Sequence, residues 1–275
     1  MAQAGIASPA ALTPPRREIS VRQIRWLTLL AILSAWEAVA ASGLLYGDVV
    51  PSSVKIAVAV VVELTTLEFY HDLGITFLEV IVGFAGGTLA GLAAGMVLGT
   101  SPFLRRAAEP YLNALGSTPK IIFLPILFLM FGVGMESKMA KGALSGFFPV
   151  VFSTILGMTS IRQVLLWVGM SFNLSRWQMV TRIYLPAMVA PVMVGLRLGM
   201  GVTIIGILVA EIKFSSGGLG FRIIQYYDNF QIAPMYAMLV IIFGVAALAN
   251  YGMTRLQRRH SHEGLSVKRG ARAAG

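Results

Sequence analysis

The sequence predicts an all-α membrane protein with about six transmembrane helices, and three observations support this fold class. First, 56% of the 275 residues are hydrophobic and 12% are charged, whereas a soluble domain carries about 25% charged residues. Second, apolar runs near or above about 18 residues, almost free of charge, recur along the chain, as transmembrane helices require. Third, most basic residues fall in the tails and in alternate connections between these runs.

Six apolar stretches predict the six spans. They are Trp26–Tyr46, Phe77–Thr100, Ile121–Val133, Met139–Met158, Ala187–Ala210 and Ala233–Met253. The third stretch is short, and we extend it back towards Leu112 through Pro119. Because no clean cleavage motif follows the first stretch, we expect a cytoplasmic tail (1–25) and a retained first span rather than a signal peptide. The membrane domain is then 26–255, and a basic cytoplasmic tail covers 256–275.

The basic residues predict the orientation of these spans. With the N-terminus inside, sixteen Lys and Arg residues, including Lys120, fall on the cytoplasmic side. Five, including Lys138 and Lys141, fall on the other side, so both termini are expected in the cytoplasm. The net charge of +10 therefore reflects membrane topology. The sequence shows no basic face interleaved with aromatic residues, which nucleic-acid binding would require. The absence of Cys and the loop or tail positions of all three His argue against a metal site.

The second span carries a stripe of small residues. Its members are Gly83, Gly87, Gly91, Gly95 and Gly99. A spacing of four places them on one helix face, where each missing side chain lets a neighbouring backbone approach. We therefore expect this helix to pack against protein, with a pore-lining stripe as the alternative. The pairs Gly142/Gly146 and Gly195/Gly199 repeat the pattern.

Three ionisable residues within or at the ends of spans are candidates for the translocation pathway. Charged groups at membrane depth are costly and usually face the bundle interior or a watery path. Glu37 in the first span is either a structural hydrogen-bond partner or part of the path. Arg197 in the fifth span either holds a helix end or lipid phosphate, or lines the path. Glu211 closes the fifth span near the outer mouth, as gate or as structure.

The cytoplasmic segment 159–186 predicts a helical hairpin with a break at Asn173, a residue type that tolerates the left-handed conformation that ends helices. Ser175 and Gln178 form a capping-box pattern for the second helix. Trp177, Val180 and Tyr184 then share one side of that helix. Leu185 precedes a proline and should leave helical geometry, while Pro186 suits the first turn of the next span. Such an ordered, partly apolar hairpin fits a protein partner, with a helix lying on lipid as the alternative.

Two segments of this loop resemble the loop of binding-protein-dependent ABC importer permeases. They are Ser171-Phe-Asn-Leu-Ser-Arg-Trp-Gln178 and Tyr184-Leu-Pro-Ala187. Further matches, in order and at similar spacing, extend the resemblance over about residues 26–255. They are Pro51-Ser-Ser53, Glu109-Pro110, Pro125, Phe131-Gly-Val-Gly134, Phe148-Pro149, Gly195-Leu-Arg-Leu-Gly199, and Glu211 with Gly217-Gly-Leu-Gly220. The aliphatic sulfonate, taurine and nitrate permeases are the most similar branch.

The resemblance implies a type I ABC importer permease in a bacterial inner membrane, with the lipid bilayer around it. It implies a homodimer of permeases, a dimer of cytoplasmic ATPases that binds the ATP, and an extracytoplasmic substrate-binding protein. The chain itself is then not an enzyme, has no cofactor, and carries a small anion or organic sulfonate such as alkanesulfonate, taurine or nitrate. The residues expected to couple to the ATPase are Trp167, Ser171, Asn173, Ser175, Arg176, Trp177, Gln178, Arg182, Leu185 and Pro186.

The loop departs from the family pattern at two places. The family's Glu-Ala-Ala falls on Trp167-Val-Gly169, and its Gly falls on Asn173. Asn can replace Gly at such a turn, but Trp cannot replace a carboxylate, and residues 159–186 contain no Asp or Glu. The departure removes a salt bridge to the ATPase but leaves Arg176, Arg182 and the apolar side of the hairpin.

Two other classes of function remain open at this point. The chain lacks the G-x-x-x-x-G-K-[ST] loop that cradles ATP phosphates, so energy must come from a partner or a gradient. A gradient-driven secondary transporter would show inverted repeats and broken midplane helices, and no convincing repeat is visible. An intramembrane enzyme would need clustered ionisable residues within the spans, where only Glu37 is predicted at mid-membrane depth.

Overall fold

The computed structural model describes residues 20–43 and 49–273, with side chains as far as Arg258. Regular structure in this part of the chain is helical. The helices are α1 Val21–Ser42, α2 Ser53–Glu63, α3 Leu67–Thr100, α4 Pro102–Ser117, α5 Leu124–Phe131, α6 Met135–Thr159, α7 Gln163–Ser171, α8 Arg176–Met179, α9 Leu185–Phe214, α10 Leu219–Asp228 and α11 Ile232–Ala273. A 3-10 turn (Lys120–Phe123) precedes α5, and a π turn (Val180–Tyr184) precedes α9. The end of the predicted first span at Tyr46 and most of the predicted N-terminal tail lie outside the described residues.

Five helical segments are long and apolar enough to cross a membrane, and a bent pair makes a sixth. The bent pair joins α4 to Lys120–Phe131 at an angle of 92°. Thr118 is extended (ψ 134°) immediately before Pro119, because a proline disfavours helical geometry in the preceding residue. The prediction of about six spans in an all-α fold is therefore confirmed, and the bent pair lies where the third span is predicted.

The described chain divides into two compact units, one up to Val54 and one from Lys55 onward. In the first unit, α1 is tied to the segment that follows it. The indole Nε1 of Trp36 donates to the Pro51 carbonyl oxygen at 3.1 Å. The Glu37 carboxylate accepts hydrogen bonds from the backbone N–H of Ser53 at 3.0 Å and from its hydroxyl at 2.9 Å. Glu37 therefore satisfies a donor at the start of α2, where helix N–H groups lack partners.

The core of the second unit is built from α3, α6 and α9, which make the most extensive helix contacts of the chain. The glycine stripe of α3 faces α6. A Cβ at Gly87 would overlap the Ala143 carbonyl oxygen, and one at Gly91 would stand 2.9 Å from the Val150 Cβ. The stripe thus lies in a protein interface, where it permits close backbone approach.

The second glycine pattern joins α6 to α9 in the same way. A Cβ at Gly142 would lie 2.6 Å from the Ile207 Cδ1, and one at Gly195 would lie 2.9 Å from the Pro149 carbonyl oxygen. The Thr203 hydroxyl crosses this interface and donates to the Gly142 carbonyl oxygen at 3.2 Å. The middle helix α6 is therefore held closely on two sides, by α3 and by α9.

Candidate functional site

The predicted hairpin is present, and its break falls at Asn173. This residue has φ +50°, in the left-handed region, and follows Phe172, the C-cap of α7. The Leu174 N–H donates to the Gly169 carbonyl oxygen at 3.1 Å, which closes the end of α7. The Ser175 N–H donates to Gln178 Oε1 at 2.9 Å, and the Gln178 N–H donates to Ser175 Oγ at 3.3 Å. The predicted break and capping box are both confirmed.

The prediction that Leu185 leaves helical geometry is wrong. Leu185 has φ −55° and ψ −51°, and its N–H donates to the Val180 carbonyl oxygen across the π turn. Pro186 has no N–H and lies in the first turn of α9, as predicted. The wider π turn accommodates a proline that cannot donate to the preceding turn, so helical structure runs without a stop from Arg176 to Phe214.

The two arms of the hairpin pack on each other through Gly169, which is buried. A Cβ there would stand 2.5 Å from the Met179 sulfur and 2.6 Å from the Ile183 Cδ1. The apolar residues of the opposite surface are exposed, with Phe172 at 77% and Trp177 at 74%. Trp167, where the family pattern has a carboxylate, is also exposed, as are Ser171, Arg176 and Arg182. Of the three residues predicted to share one side of the second helix, Trp177 is largely exposed, whereas Val180 and Tyr184 are half-buried.

Glu211 lies at the far end of α9 and is fully buried. It accepts hydrogen bonds from the Thr76 hydroxyl at 2.6 Å and from the Gly220 N–H at 2.7 Å. The turn between α9 and α10 folds back over this carboxylate. Gly218 has φ +105°, and a Cβ there would overlap the Glu211 carboxylate, so the turn requires glycine at this position.

Further bonds fix the same turn to α3. The Gly218 N–H donates to Asp72 Oδ1 at 3.0 Å, and the Leu219 N–H donates to the Thr76 hydroxyl at 2.9 Å. The Gly220 N–H donates to Glu211, so the backbone N–H groups of Gly218, Leu219 and Gly220 at the start of α10 all donate to side chains. Glu211 thus anchors the α9–α10 turn.

Arg222 on α10 links this turn to α2 and α3. Its guanidinium contacts Glu63 Oε2 at 3.2 Å and Asp72 Oδ2 at 3.1 Å. The Tyr226 hydroxyl also donates to Glu63. Burial, together with this hydrogen bond, raises the pKa of Tyr226 to about 12. We call Glu63, Asp72, Thr76, Glu211, Arg222 and Tyr226 the polar clamp.

A buried ion pair lies beside the polar clamp. The Lys138 ammonium of α6 stands 2.6 Å from the Glu79 carboxylate of α3 and donates to the Ser215 hydroxyl at 2.8 Å. Both ionic side chains are almost entirely buried. Glu79 is therefore a further carboxylate within a candidate span, in addition to Glu37 of α1, which is exposed.

Arg197 bonds to the last span. Its Nε donates to the Asn250 side-chain oxygen of α11 at 3.0 Å. Of the alternatives for Arg197, this contact favours holding a neighbouring helix.

Lys120 and Lys141, predicted on opposite sides of the membrane, line one cavity instead. Lys120 lies in the 3-10 turn inside the bent pair, and Lys141 lies in the second turn of α6. The bend at Pro119 brings the first towards the second. With these two lysines and Lys138 removed from the count, fifteen basic residues still oppose three, so the predicted orientation keeps its basis.

The three residues that α3 contributes to the clamp and the ion pair share one sequence signal. Continuing the glycine stripe of α3 backwards from Gly83 in steps of three or four gives Glu79, Thr76 and Asp72. All three lie on the buried face of α3. Beginning the second span at Phe77 treated Asp72 and Thr76 as loop residues and so hid the continuation.

Comparisons with known proteins agree on one family. Residues 87–262 match the model of the "binding-protein-dependent transport system inner membrane component". The putative aliphatic sulfonates transport permease SsuC of Bacillus subtilis is 28% identical over 85% of this chain and 86% of its own length. The taurine transport system permease TauC of Escherichia coli is 28% identical over 69% of each chain.

A solved structure has the same fold. A chain of the MetNI methionine ABC transporter, determined in inward-facing conformations, superimposes with a TM-score of 0.63 at 18% identity. The match covers 71% of this chain and 97% of that chain. At this identity the likeness concerns the fold alone.

Proposed function

Because this chain belongs to the binding-protein-dependent transport system inner membrane components, we propose that it forms the translocation pathway of an importer that a separate ATPase drives through the hairpin at residues 163–184. The chain is an ABC importer permease subunit with several membrane spans.

The observation that carries the proposal is the exposed apolar surface of an ordered hairpin. Clustered exposed apolar residues in an ordered segment mark an interaction site, and aromatic anchors supply most interface energy. The capping box of Ser175 and Gln178 fixes the start of α8, which carries Trp177, and the Trp177 side chain is largely exposed. A rigid, exposed tryptophan beside Arg176 suits a pocket on a protein with acidic groups at its rim.

The hairpin is joined to the far end of the bundle by one helical segment. Arg176–Phe214 is continuous for 39 residues, or roughly 58 Å at the α-helical rise. One end carries Trp177 and the other is anchored through Glu211 in the polar clamp. Movement of a docked ATPase would therefore shift α9, and α6 with it, because glycine contacts hold the two helices together.

We propose that both termini are cytoplasmic and that two copies of the chain enclose the pathway. The ATPase dimer then meets the hairpin in the cytoplasm, and a substrate-binding protein delivers cargo at the end that carries α10. Trp167 replaces the family's carboxylate, so docking relies on apolar contacts and on Arg176 and Arg182 rather than on a salt bridge from position 167.

The cargo we propose is a small anion or organic sulfonate, such as an alkanesulfonate, taurine or nitrate. The named relatives transport aliphatic sulfonates and taurine, which share a sulfonate group. Their identity to this chain is moderate, so the proposal extends to the chemical class rather than to one compound.

The test is uptake by membrane vesicles that contain the permease, a partner ATPase and a binding protein, with radiolabelled taurine or methanesulfonate as cargo. The control carries an ATPase that binds ATP but cannot hydrolyse it. We expect uptake only with ATP and the hydrolysing ATPase. Uptake that persists without the ATPase and collapses when an ionophore removes the ion gradient would instead support a secondary transporter.

A further inference from the structure

Two lysines line one cavity of the helical bundle, and neither is paired with a carboxylate among the described residues. The cavity measures about 650 Å³, within the range of small-molecule sites, and lies among the bend after α4, α6 and α9. Lys141 is 3% exposed. Both lysines differ from Lys138, which lies three residues before Lys141 and is neutralised by Glu79.

Each ammonium group has one identified hydrogen-bond acceptor. The Lys141 ammonium donates to the Ser145 hydroxyl at 3.1 Å. The Lys120 ammonium donates to the Gly116 carbonyl oxygen and lies 4.6 Å from the centre of the Phe148 ring. A lysine ammonium carries three N–H donors, so each retains donors for a ligand.

The two lysines line the same cavity, so their positive charges face one space. Two cations in a low-dielectric space repel, and an uncompensated buried charge is costly. A fold that keeps both gains by binding a negative group between them. Gly206 of α9 leaves room for this arrangement, since a Cβ there would stand 3.3 Å from the Lys141 nitrogen.

We propose that Lys120 and Lys141 form an anion-binding station within the translocation pathway, which takes a small oxyanion such as nitrate or a sulfonate group. The remaining lining suits the organic part of a sulfonate, because Phe148 and Phe152 provide apolar surface. Ser145 and Ser153 add hydroxyl groups along α6, and the cavity extends over roughly 18 Å of that helix from Lys141 to Ser153. This inference rests on the proposed function and assigns its cargo site.

The pathway role follows from the position of the cavity. It lies beside α9, the helix that connects the hairpin to the polar clamp, and Leu198 and Ile205 on its rim are exposed. A shift of α6 and α9 relative to the bend after α4 would change the distance between Lys120 and Lys141 and so alter the station. A membrane lipid's phosphate shares the required chemistry, and the experiment separates the two sources.

The experiment measures thermal unfolding of the purified full-length permease while potassium nitrate or methanesulfonate replaces potassium gluconate at constant ionic strength. A ligand that binds the folded state raises the unfolding temperature with its concentration. We expect the wild type to be stabilised, and Lys120→Met or Lys141→Met to need at least about tenfold more anion, because each loses a charge-assisted contact. Lys213→Met removes an exposed lysine of equal charge and should behave as the wild type.

Both methionine variants should fold, since neither leaves a buried carboxylate unpaired, and the unfolding temperature in gluconate reports this directly. Should one fail to fold, Ser145→Ala keeps both lysines and is expected to weaken anion binding. Equal stabilisation of the wild type and the lysine variants, or none in either, would overturn the proposal. Stabilisation by phosphatidylglycerol that free anions do not compete away would assign the lysines to lipid, which also contradicts it.

These outcomes are separable from the test of the proposed function. If uptake requires the ATPase but anion stabilisation does not depend on Lys120 and Lys141, the proposed function stands and the anion site is rejected. Anion binding that depends on both lysines, with uptake independent of the ATPase, would keep the site and reject the energy source.

Discussion

At the scale of single residues, neighbouring glycines of α3 differ in how closely they approach α6. Gly86 and Gly87 are neighbours in α3, but a Cβ at Gly86 would meet the Ala143 Cβ at an ordinary 3.7 Å. At Gly87 it would overlap the Ala143 carbonyl oxygen, a backbone atom that cannot rotate away. The pair therefore offers the same substitution in two environments one residue apart.

We predict that Gly87→Ala destabilises the permease by about 1–3 kcal/mol, the usual cost of overpacking. Gly86→Ala should be neutral or stabilising by up to ~1 kcal/mol, because alanine favours helix over glycine. Denaturant unfolding of the two purified variants measures the difference. Equal stabilities would show that α3 does not approach α6 along this stripe.

Tyr226 gives a second prediction, which depends on pH. The pKa of Tyr226 in the folded state is about 12, above the ordinary value of about 10. The folded state therefore holds this proton more tightly, so the contribution of Tyr226 to stability is complete below pH 10 and is lost as the pH rises towards 12.

Tyr226→Phe removes the hydrogen bond to Glu63 and should cost about 1 kcal/mol at pH 8. The gap in unfolding temperature between wild type and variant should narrow above pH 10. A gap that stays constant from pH 8 to 12 would mean that the Tyr226 hydroxyl does not support the polar clamp.

The residues of the clamp also show where prediction from sequence stops. Glu211 and the glycines at 217–220 were recognisable because their residue types recur in a family pattern. Their hydrogen bonds to Asp72 and Thr76 are not predictable from the sequence, because about 140 residues separate the partners. Lys120 and Lys141 were placed on opposite sides because a charge count cannot detect the bend at Pro119.

At the scale of elements, the hairpin was predictable in detail because its signals are local. A cap, a left-handed residue and a proline each act within a few residues, and all three hold their expected places. The start of α3 at Leu67 was not predictable from hydropathy, because Asp72 is neutralised by Arg222, a partner distant in sequence. The π turn was missed because a proline ordinarily predicts a helix boundary.

The hairpin itself can be tested at Asn173. Asn173→Val should open the hairpin, because a β-branched residue at φ +50° costs about 1–2 kcal/mol, whereas Asn173→Gly fits the same conformation. Hydrogen exchange of the Leu174 amide, which closes α7, reports the opening. We expect about tenfold faster exchange in the valine variant and little change in the glycine variant; identical exchange in both would mean that the left-handed turn is not limiting.

At the scale of the whole molecule, the orientation can be tested with single cysteines, because the chain contains none. Asp228→Cys at the end of α10 and Ser171→Cys in the hairpin place exposed thiols at two ends of the helical bundle. A membrane-impermeant maleimide should label Asp228→Cys in intact spheroplasts, and Ser171→Cys only after permeabilisation. The reverse pattern would invert the proposed orientation.

The central claim is that a separate ATPase drives this permease through the hairpin. Trp177 is the most exposed tryptophan of the hairpin. The test compares Trp177→Ala with Trp26→Ala, a matched loss of an exposed tryptophan from α1. Copurification of the ATPase is measured beside uptake and ATP hydrolysis in vesicles.

We predict that Trp177→Ala inserts normally but loses about 2 kcal/mol of ATPase affinity, roughly thirtyfold, so that uptake and stimulated hydrolysis fall together. Trp26→Ala should keep the ATPase bound. Undiminished association and uptake in Trp177→Ala would contradict the claim that this hairpin couples the permease to its ATPase.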